Sequence, residues 1–294
     1  MTKRTPIWLK IILWVFSTIF SIVALLAVGC GILYATYEIN VFEVAGQVKT
    51  LNQEVDLEKL APNVFTIDDM AGAKIVTDEN INGLISYTEE EGYKLTPEAV
   101  STAMLGSLKF TDKQVGAILN NIIDSQEELN VQLGSVINLK DYGFKVVQVA
   151  FSNITETTTD FNVVIKIDLT KIKEEKMAKF PFNWIRKGVP DSLYFSSTVT
   201  LTKGANAFEY TTEGKSLMIN NLSSEQTESI FKTINTFLKL GGPKDFAKTI
   251  GDTFVNALIG NEANPGLAYS LKSAGATDFL FEADATNNYF IIQK

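Results

Sequence analysis

The sequence predicts an α+β protein, in which an N-terminal transmembrane helix precedes an ectodomain of antiparallel sheet packed on amphipathic helices. Three observations support this fold class. Residues 11–37 contain no charged side chain, residues 161–169 and 193–201 alternate apolar with polar side chains, and residues 112–124 and 223–238 carry apolar side chains at helical spacing. Alternation with a period of two is typical of a half-buried strand, and a period near 3.6 is typical of an amphipathic helix.

The uncharged run at residues 11–37 is long enough to cross a bilayer as a single helix. Its 27 residues would rise about 40 Å in a helix, and the hydrocarbon core of a bilayer is about 30 Å thick. A basic flank at residues 1–10, with Lys3, Arg4 and Lys10, precedes the run. Positive residues favour the cytoplasmic side. We therefore expect a single-pass protein of the cell membrane, with the C-terminal domain extracytoplasmic.

Two other interpretations of this run stay open. A cleaved secretory signal has an apolar core of about 7 to 15 residues, whereas this run is longer and no A-x-A-like site follows it. A lipoprotein signal would make Cys30 the lipidated first residue, because Ala27-Val28-Gly29-Cys30 resembles a degenerate lipobox; the apolar residues after Cys30 argue against it. All three interpretations place the rest of the chain outside the cytoplasm.

The ectodomain is acidic and lacks the side chains of many catalytic sites. After residue 37 there are 34 acidic and 23 basic side chains, a net charge of −11, which disfavours nucleic acid as a partner. The chain has no histidine, and Cys30 is its one cysteine. This composition excludes Ser-His-Asp triads, the usual zinc sites and an ectodomain disulfide. We expect no enzymatic activity, no cofactor and no metal.

The chain after the anchor is expected to divide into a membrane-proximal α+β segment, residues 38–107, and a main α+β domain, residues 108–294. Residues 38–48 suit either a first strand or a continuation of the helix. Three signals follow in the membrane-proximal segment: a short strand at 73–77, a weak helix at 78–87 with a turn at 89–92, and a proline-containing helix start at 96–98.

The main domain begins with the clearest soluble helix. Thr111 with Gln114 fits a capping box for the helix at 112–124, and Ser223 with Gln226 fits a second one. Because the strands have one apolar face, they predict an antiparallel sheet covered on one side only. The remaining predicted elements are strands at 144–152, 161–169, 193–201 and 207–213, a helix at 244–259, and a closing hairpin of 279–283 with 289–292.

The two capping boxes also suggest an internal duplication. Phe110–Gln114 matches Leu222–Gln226 in residue type, and Leu139–Gly143 resembles Leu271–Gly275. The separations between these pairs differ, 29 residues against 49, and the helix at 244–259 would account for the difference. A true duplication would give two similar units of a helix followed by a sheet, whereas generic cap chemistry would give the first match by chance.

One basic segment contrasts with the acidic ectodomain. Between residues 171 and 187 there are six positive and two negative side chains, with aromatic residues among them. Basic side chains interleaved with aromatics suit a membrane interface or an anionic head group; the other interpretation is a crossover loop whose aromatics fill the core. The candidate contact residues are Lys179, Phe180, Phe182, Trp184, Arg186 and Lys187.

Four features carry a family resemblance. They are the anchor, the capped helix at Phe110–Ile123, the two long alternating strands, and the Val189–Tyr194 stretch that leads into the second of those strands. Together they resemble membrane-anchored extracytoplasmic proteins of Gram-positive bacteria with tubular lipid-binding (TULIP-like) domains, over about residues 70–294. The resemblance implies a long helix wrapped by a curved sheet, with an apolar groove that holds an acyl chain.

The expected function is therefore non-enzymatic binding or shuttling of a lipid or another apolar envelope molecule. The alternative is a structural or interaction protein that engages a protein or wall partner through a sheet edge or its acidic face. A hydrolase that uses carboxylates is the least favoured function, because the paired acids Asp68-Asp69 and Glu174-Glu175 are sequence neighbours and so do not share a face.

Overall fold

The computed structural model describes residues 46–47, 49–62, 85–88, 92–95, 106–124, 129–130, 136–137, 144–175, 190–238 and 241–294. The predicted anchor, the basic flank and the expected elements at 73–77 and 96–98 lie outside these residues. Within the described part, no helix has both the length and the apolar character that a membrane span requires. The α+β class with antiparallel sheets is confirmed there.

The described helices and strands follow one another along the chain in mixed runs. In order they are α1 (Leu57–Leu60), β1 (Ile85–Thr88), β2 (Gly92–Leu95), β3 (Leu108–Thr111), α2 (Asp112–Asp124), β4 (Leu129–Asn130), β5 (Val136–Ile137), β6 (Lys145–Ser152), β7 (Thr158–Asp168), α3 (Thr170–Glu175), β8 (Ser192–Lys203), β9 (Tyr210–Ile219), α4 (Ser224–Leu238), α5 (Pro243–Leu258), α6 (Leu267–Ser270) with a 3₁₀ turn at Leu271–Ala274, β10 (Asp278–Ala283) and β11 (Asn288–Gln293).

Strands β6 to β9 pair in sequence order and, among the described residues, form a four-stranded antiparallel sheet. We call it the main sheet. Strands β7 and β8 stay in register along their whole length, from Thr158 opposite Thr202 to Asp168 opposite Ser192. The alternation in the sequence requires this register, because a slip of one residue would turn every buried side chain of β7 to the other face.

Strands β10, β11 and β3 pair in that order within the described part. The closing hairpin is confirmed, with Asp284 accepting the backbone N–H groups of Thr286 and Asn287 at 2.8 Å in the turn. Strand β3 was not predicted, because it is four residues long and runs straight into the cap of α2. Its buried Phe110 lies opposite Phe290 on β11.

The main core lies between the helices and one face of the main sheet. Close approach of α5 to the sheet requires two glycines: a Cβ on Gly251 would lie 2.3 Å from Val199, and one on Gly214 would lie 1.9 Å from the Lys244 carbonyl oxygen. Aromatic rings fill this core. The largest fully buried side chains are Phe110, Phe151, Phe161, Phe195, Phe231, Phe246, Phe279 and Phe290.

Both predicted capping boxes are confirmed, with closely matched geometry. The Thr111 N–H donates to Gln114 Oε1 at 2.8 Å, and the Gln114 N–H donates to Thr111 Oγ1 at 3.2 Å. The equivalent distances at Ser223 and Gln226 are 2.9 and 3.2 Å. Each box satisfies two backbone N–H donors at a helix start that the helix itself leaves unpaired. The proposed duplication stays a prediction.

Two sequence predictions are wrong at the level of single elements. A weak helix was predicted at 78–87, but Ile85 lies in a strand and pairs with Leu95 in a β1–β2 hairpin. The alternating side chains of these two short runs favour strands more than their helix propensity favours a helix. Strand β9 begins at Tyr210 rather than at residue 207, because the turn before it extends to Glu209 and holds Phe208 at a positive φ of 58°.

A third prediction, a sheet covered on one side only, is wrong for one part of the second face. Residues 49–62, which we call the strap, follow the predicted anchor and cross the second face of the main sheet. There Leu60 and Ala61 cover the fully buried Val164 of β7. The sequence pattern missed this contact because Val164 is the one apolar residue among the polar side chains that β7 places on this face.

Candidate functional site

The structure does not describe the candidate contact residues Lys179, Phe180, Phe182, Trp184, Arg186 and Lys187, which all lie within residues 176–189. It does describe the elements on either side of this segment and the strap that follows the predicted anchor. These parts meet at one end of the main sheet, where β7 and β9 finish and β8 starts. We call this region the strap end.

Two asparagine side chains hold the strap at this end. Asn220 Nδ2 donates to the Leu51 carbonyl oxygen at 2.9 Å, and Asn221 Nδ2 donates to the Glu54 carbonyl oxygen at 2.9 Å. The Leu51 side chain is 5% exposed and belongs to the main core. The strap is therefore a built part of the domain, although about 170 residues of chain separate it from the asparagines.

Asn220 joins three parts of the fold at one buried position. Its side-chain oxygen accepts the Tyr194 N–H at 2.7 Å, and its own N–H donates to the Tyr194 carbonyl oxygen at 2.9 Å. Its amide also reaches the Ser192 carbonyl oxygen at 3.3 Å. The residue has a φ of +46°, a left-handed conformation that asparagine tolerates better than most residues do. Asn220 thus links the strap to the start of β8 and the end of β9.

The chain on either side of residues 176–189 is held together at the same end. The Leu169 N–H donates to the Asp191 carbonyl oxygen at 2.7 Å, and Lys173 of α3 forms an ion pair with Asp191. The Thr170 N–H donates to Asp168 Oδ1 at 2.8 Å. Burial alone would raise the pKa of Asp168, but the hydrogen bonds from Thr170 outweigh it, so that pKa is lowered. The described residues on either side of 176–189 therefore lie together beside the strap.

The second face of the main sheet carries a buried acid towards its other end. Asp160 accepts hydrogen bonds from Thr200 at 2.8 Å and from Asn153 at 2.6 Å, and it forms an ion pair with Lys215. Its side chain is 6% exposed. Burial would raise the pKa of Asp160, but the hydrogen bonds from Lys215, Asn153 and Thr200, with the Lys215 charge, leave it lowered.

A second polar network lies between Asp160 and the strap. Asn162 Nδ2 donates to Ser196 Oγ and Thr198 Oγ1, both at 3.0 Å, and its Oδ1 accepts from Gln148 at 2.8 Å. Gln148 is 2% exposed and Ser196 is 7% exposed. The side chains on this face are satisfied by one another, which lets three strands carry polar residues without a large desolvation cost.

These networks are suited to hold structure rather than to move protons. An acid with a lowered pKa and three donors is ionised and committed to its partners at neutral pH, whereas a general base needs a pKa near the working pH. Lys215 is the extra residue of a β-bulge on β9, so its bond to Asp160 fixes the bulge. Among the described residues, no group of His, Cys, Asp and Glu is placed to hold a metal ion.

Comparison with protein-family models, with curated proteins and with solved structures gave no match for this chain. The sequence pattern also missed Asn220 and Asn221. The sequence does contain a signal for them, which is an Asn-Asn pair between the end of an alternating strand and a capping box. Asparagine at such a junction is typical of a left-handed residue in a tight turn.

Proposed function

We propose that this protein is a non-enzymatic extracytoplasmic protein that residues 11–37 hold at the cell membrane, where its basic aromatic segment binds lipid. The observation that carries the proposal is the fixed strap. Because Asn220 and Asn221 bind Leu51 and Glu54, 14 and 17 residues after the predicted anchor ends, the domain is tethered at its strap end. The residues that flank the segment with Phe182 and Trp184 lie at that same end, where the Leu169 N–H donates to the Asp191 carbonyl oxygen.

The packing of the main core favours lipid contact at the surface of the domain. Phe246 of α5 packs against Phe195 of β8 and Phe231 of α4, with ring centroids 6.3 and 5.3 Å apart. Such a core is as densely filled as an organic crystal, which leaves little room for an acyl chain at this place. The apolar groove implied by the TULIP-like resemblance stays a prediction for the rest of the chain.

Vesicle flotation tests the proposal. Residues 40–294 should float with vesicles that contain anionic lipid, and changing Lys179, Arg186 and Lys187 together to Gln should abolish flotation. The matched control changes the exposed Lys244, Lys272 and Lys294 to Gln, which removes the same charge from other surfaces. Equal loss in both triple variants would show that only total charge matters, and no binding by the parent chain would refute the proposal.

A second pair of variants separates surface contact from core filling. Phe182→Ala with Trp184→Ala should weaken vesicle binding and leave the melting temperature unchanged, because rings at a membrane interface do not stabilise the fold in water. If these aromatics fill the core instead, the melting temperature will fall steeply. Native mass spectrometry of the purified chain adds a direct readout, since a shuttle protein should retain lipid in a fixed ratio.

The alternative function is that of an interaction protein of the cell envelope. The exposed residues of β9 favour it. This strand is at the edge of the main sheet within the described residues, and its Thr211, Glu213 and Ser216 are exposed. An edge strand offers backbone groups to a partner strand, although the bulge at Lys215 and the nearby charge restrict such pairing. Cross-linking from residue 211 to one envelope protein in intact cells would favour this alternative.

A further inference from the structure

The main sheet has two ends that differ in what they connect. Strand β8 alone spans 12 residues, about 36 Å at 3.3 Å per residue. The strap binds near Ser192, where β8 starts. We call the opposite end, near Lys203, the far end. The two ends are thus separated by more than the thickness of a bilayer's hydrocarbon core.

Four turns meet at the far end. The Lys203 N–H donates to the Thr157 carbonyl oxygen at 2.8 Å, which joins the turns at 153–157 and 204–209. The Phe208 ring lies 5.5 Å from that of Tyr269, which follows the turn at 259–266. Asn288, which follows the turn at 284–287, donates to the Phe151 carbonyl oxygen at 2.8 Å.

Each of these four turns carries one acidic residue and no lysine or arginine. The acidic residues are all exposed: Glu156, Glu209, Glu262 and Asp284. Lysines lie outside these turns at both ends: Lys203 and Lys272 at the far end, and Lys59, Lys166 and Lys173 among acids at the strap end. The four turns themselves repel a surface with anionic lipid, over about one Debye length of 8 to 10 Å.

The strap end also has the exposed apolar side chains and the shortest tether. Among the described residues, the most exposed large apolar side chains are Leu57 at 41% and Met218 at 37%. Leu57 lies in the strap and Met218 lies two residues before Asn220. Eight residues, 38–45, separate the predicted anchor from Gly46, so this tether can span about 30 Å at most.

We propose that the strap end lies against the bilayer surface, with Leu57 and Met218 at the head groups and the four acidic turns pointing away. This inference rests on the proposed function, because it takes residues 11–37 as the anchor. It adds the orientation of the domain, which charge, tether length and apolar exposure determine together.

Site-directed fluorescence on the full chain tests this orientation. Cys30→Ser removes the native cysteine, and single cysteines are then placed at Leu57 or Met218 and, as controls, at the exposed Ala205 or Ala285 of the far-end turns. Each variant is labelled with an environment-sensitive dye and reconstituted into vesicles that contain anionic lipid. We expect a blue-shifted emission, and quenching by head-group spin-labelled lipid, at residues 57 and 218 but not at residues 205 and 285.

The outcomes separate the orientation from the anchor. Equal quenching at the two ends, or stronger quenching at residues 205 and 285, overturns the orientation. A chain that floats with vesicles but shows no quenching at residue 57 or 218 overturns it too, and leaves the proposed anchor intact. A chain that does not float, with Cys30 present or replaced, refutes both proposals. Loss of flotation only on Cys30→Ser identifies a lipidated cysteine, and the orientation is then judged on probes in the Cys30-containing chain.

Discussion

The two faces of the main sheet are stabilised in different ways. The inner face buries Phe161, Phe195 and Val199 against helices, so its stability comes from apolar area and close packing. The second face holds Asp160 and Asn162 in hydrogen-bonded networks, and only its strap end is covered by apolar side chains. The comparison teaches that apolar packing stabilises one face of the main sheet, whereas specific hydrogen bonds between polar side chains stabilise the other.

Removing volume from the inner face should have the largest effect. Phe246 is fully buried and contacts the rings of Phe195 and Phe231. Phe246→Ala should lower the free energy of unfolding by about 3 to 5 kcal/mol, since it removes buried area and leaves a cavity. Urea unfolding followed by circular dichroism measures this change. Thr211→Ala on the exposed edge is the control, and a similar loss there would contradict the role given to packing.

Breaking the strap contact should rank second. Asn220→Ala leaves the buried Tyr194 N–H without its side-chain acceptor and puts alanine at a positive φ, which together should cost about 2 to 4 kcal/mol. It should also make the strap sensitive to protease while the main sheet stays intact. Asn220→Gly keeps the backbone conformation and so isolates the hydrogen bonds. A resistant strap in both variants would show that the apolar contacts of Leu51 and Leu60 suffice.

Removing the Asp160 charge from the second face should lower the free energy of unfolding by a smaller amount that depends on pH. The folded-state pKa of Asp160 is lowered, so its contribution is present above the unfolded pKa near 3.9 and is lost as the pH falls through the folded value. Asp160→Asn should therefore cost about 1 to 2 kcal/mol at pH 7, and this cost should decrease as the pH falls below about 3.9. Urea midpoints of both chains at several pH values measure this difference. A gap that stays constant down to pH 2 would mean that the carboxylate charge does not contribute.

The sequence predicted the inner face better than the second face, for a physical reason. A strand that buries one face against helices has apolar side chains at every second position, and the sequences of β7 and β8 follow this pattern closely. The capping boxes at Thr111 and Ser223 were also predictable, because all their atoms lie within four residues. Asp160, Lys215 and Asn220 could not be assigned in this way, because their partners come from distant parts of the chain and one polar residue leaves no periodic signal.

The smallest predicted effect on stability concerns two threonines, one on each face of the main sheet. The Thr159 hydroxyl is buried without a hydrogen-bond partner, whereas the Thr200 hydroxyl donates to Asp160 at 2.8 Å. Valine has nearly the same shape, so Thr159→Val should raise the free energy of unfolding by about 0.5 to 1 kcal/mol, and Thr200→Val should lower it by a similar amount. Thermal unfolding of the two variants beside the parent chain measures both signs. If Thr159→Val is the destabilising change, its hydroxyl has a partner in solution, and the inner face depends on polar contacts as the second face does.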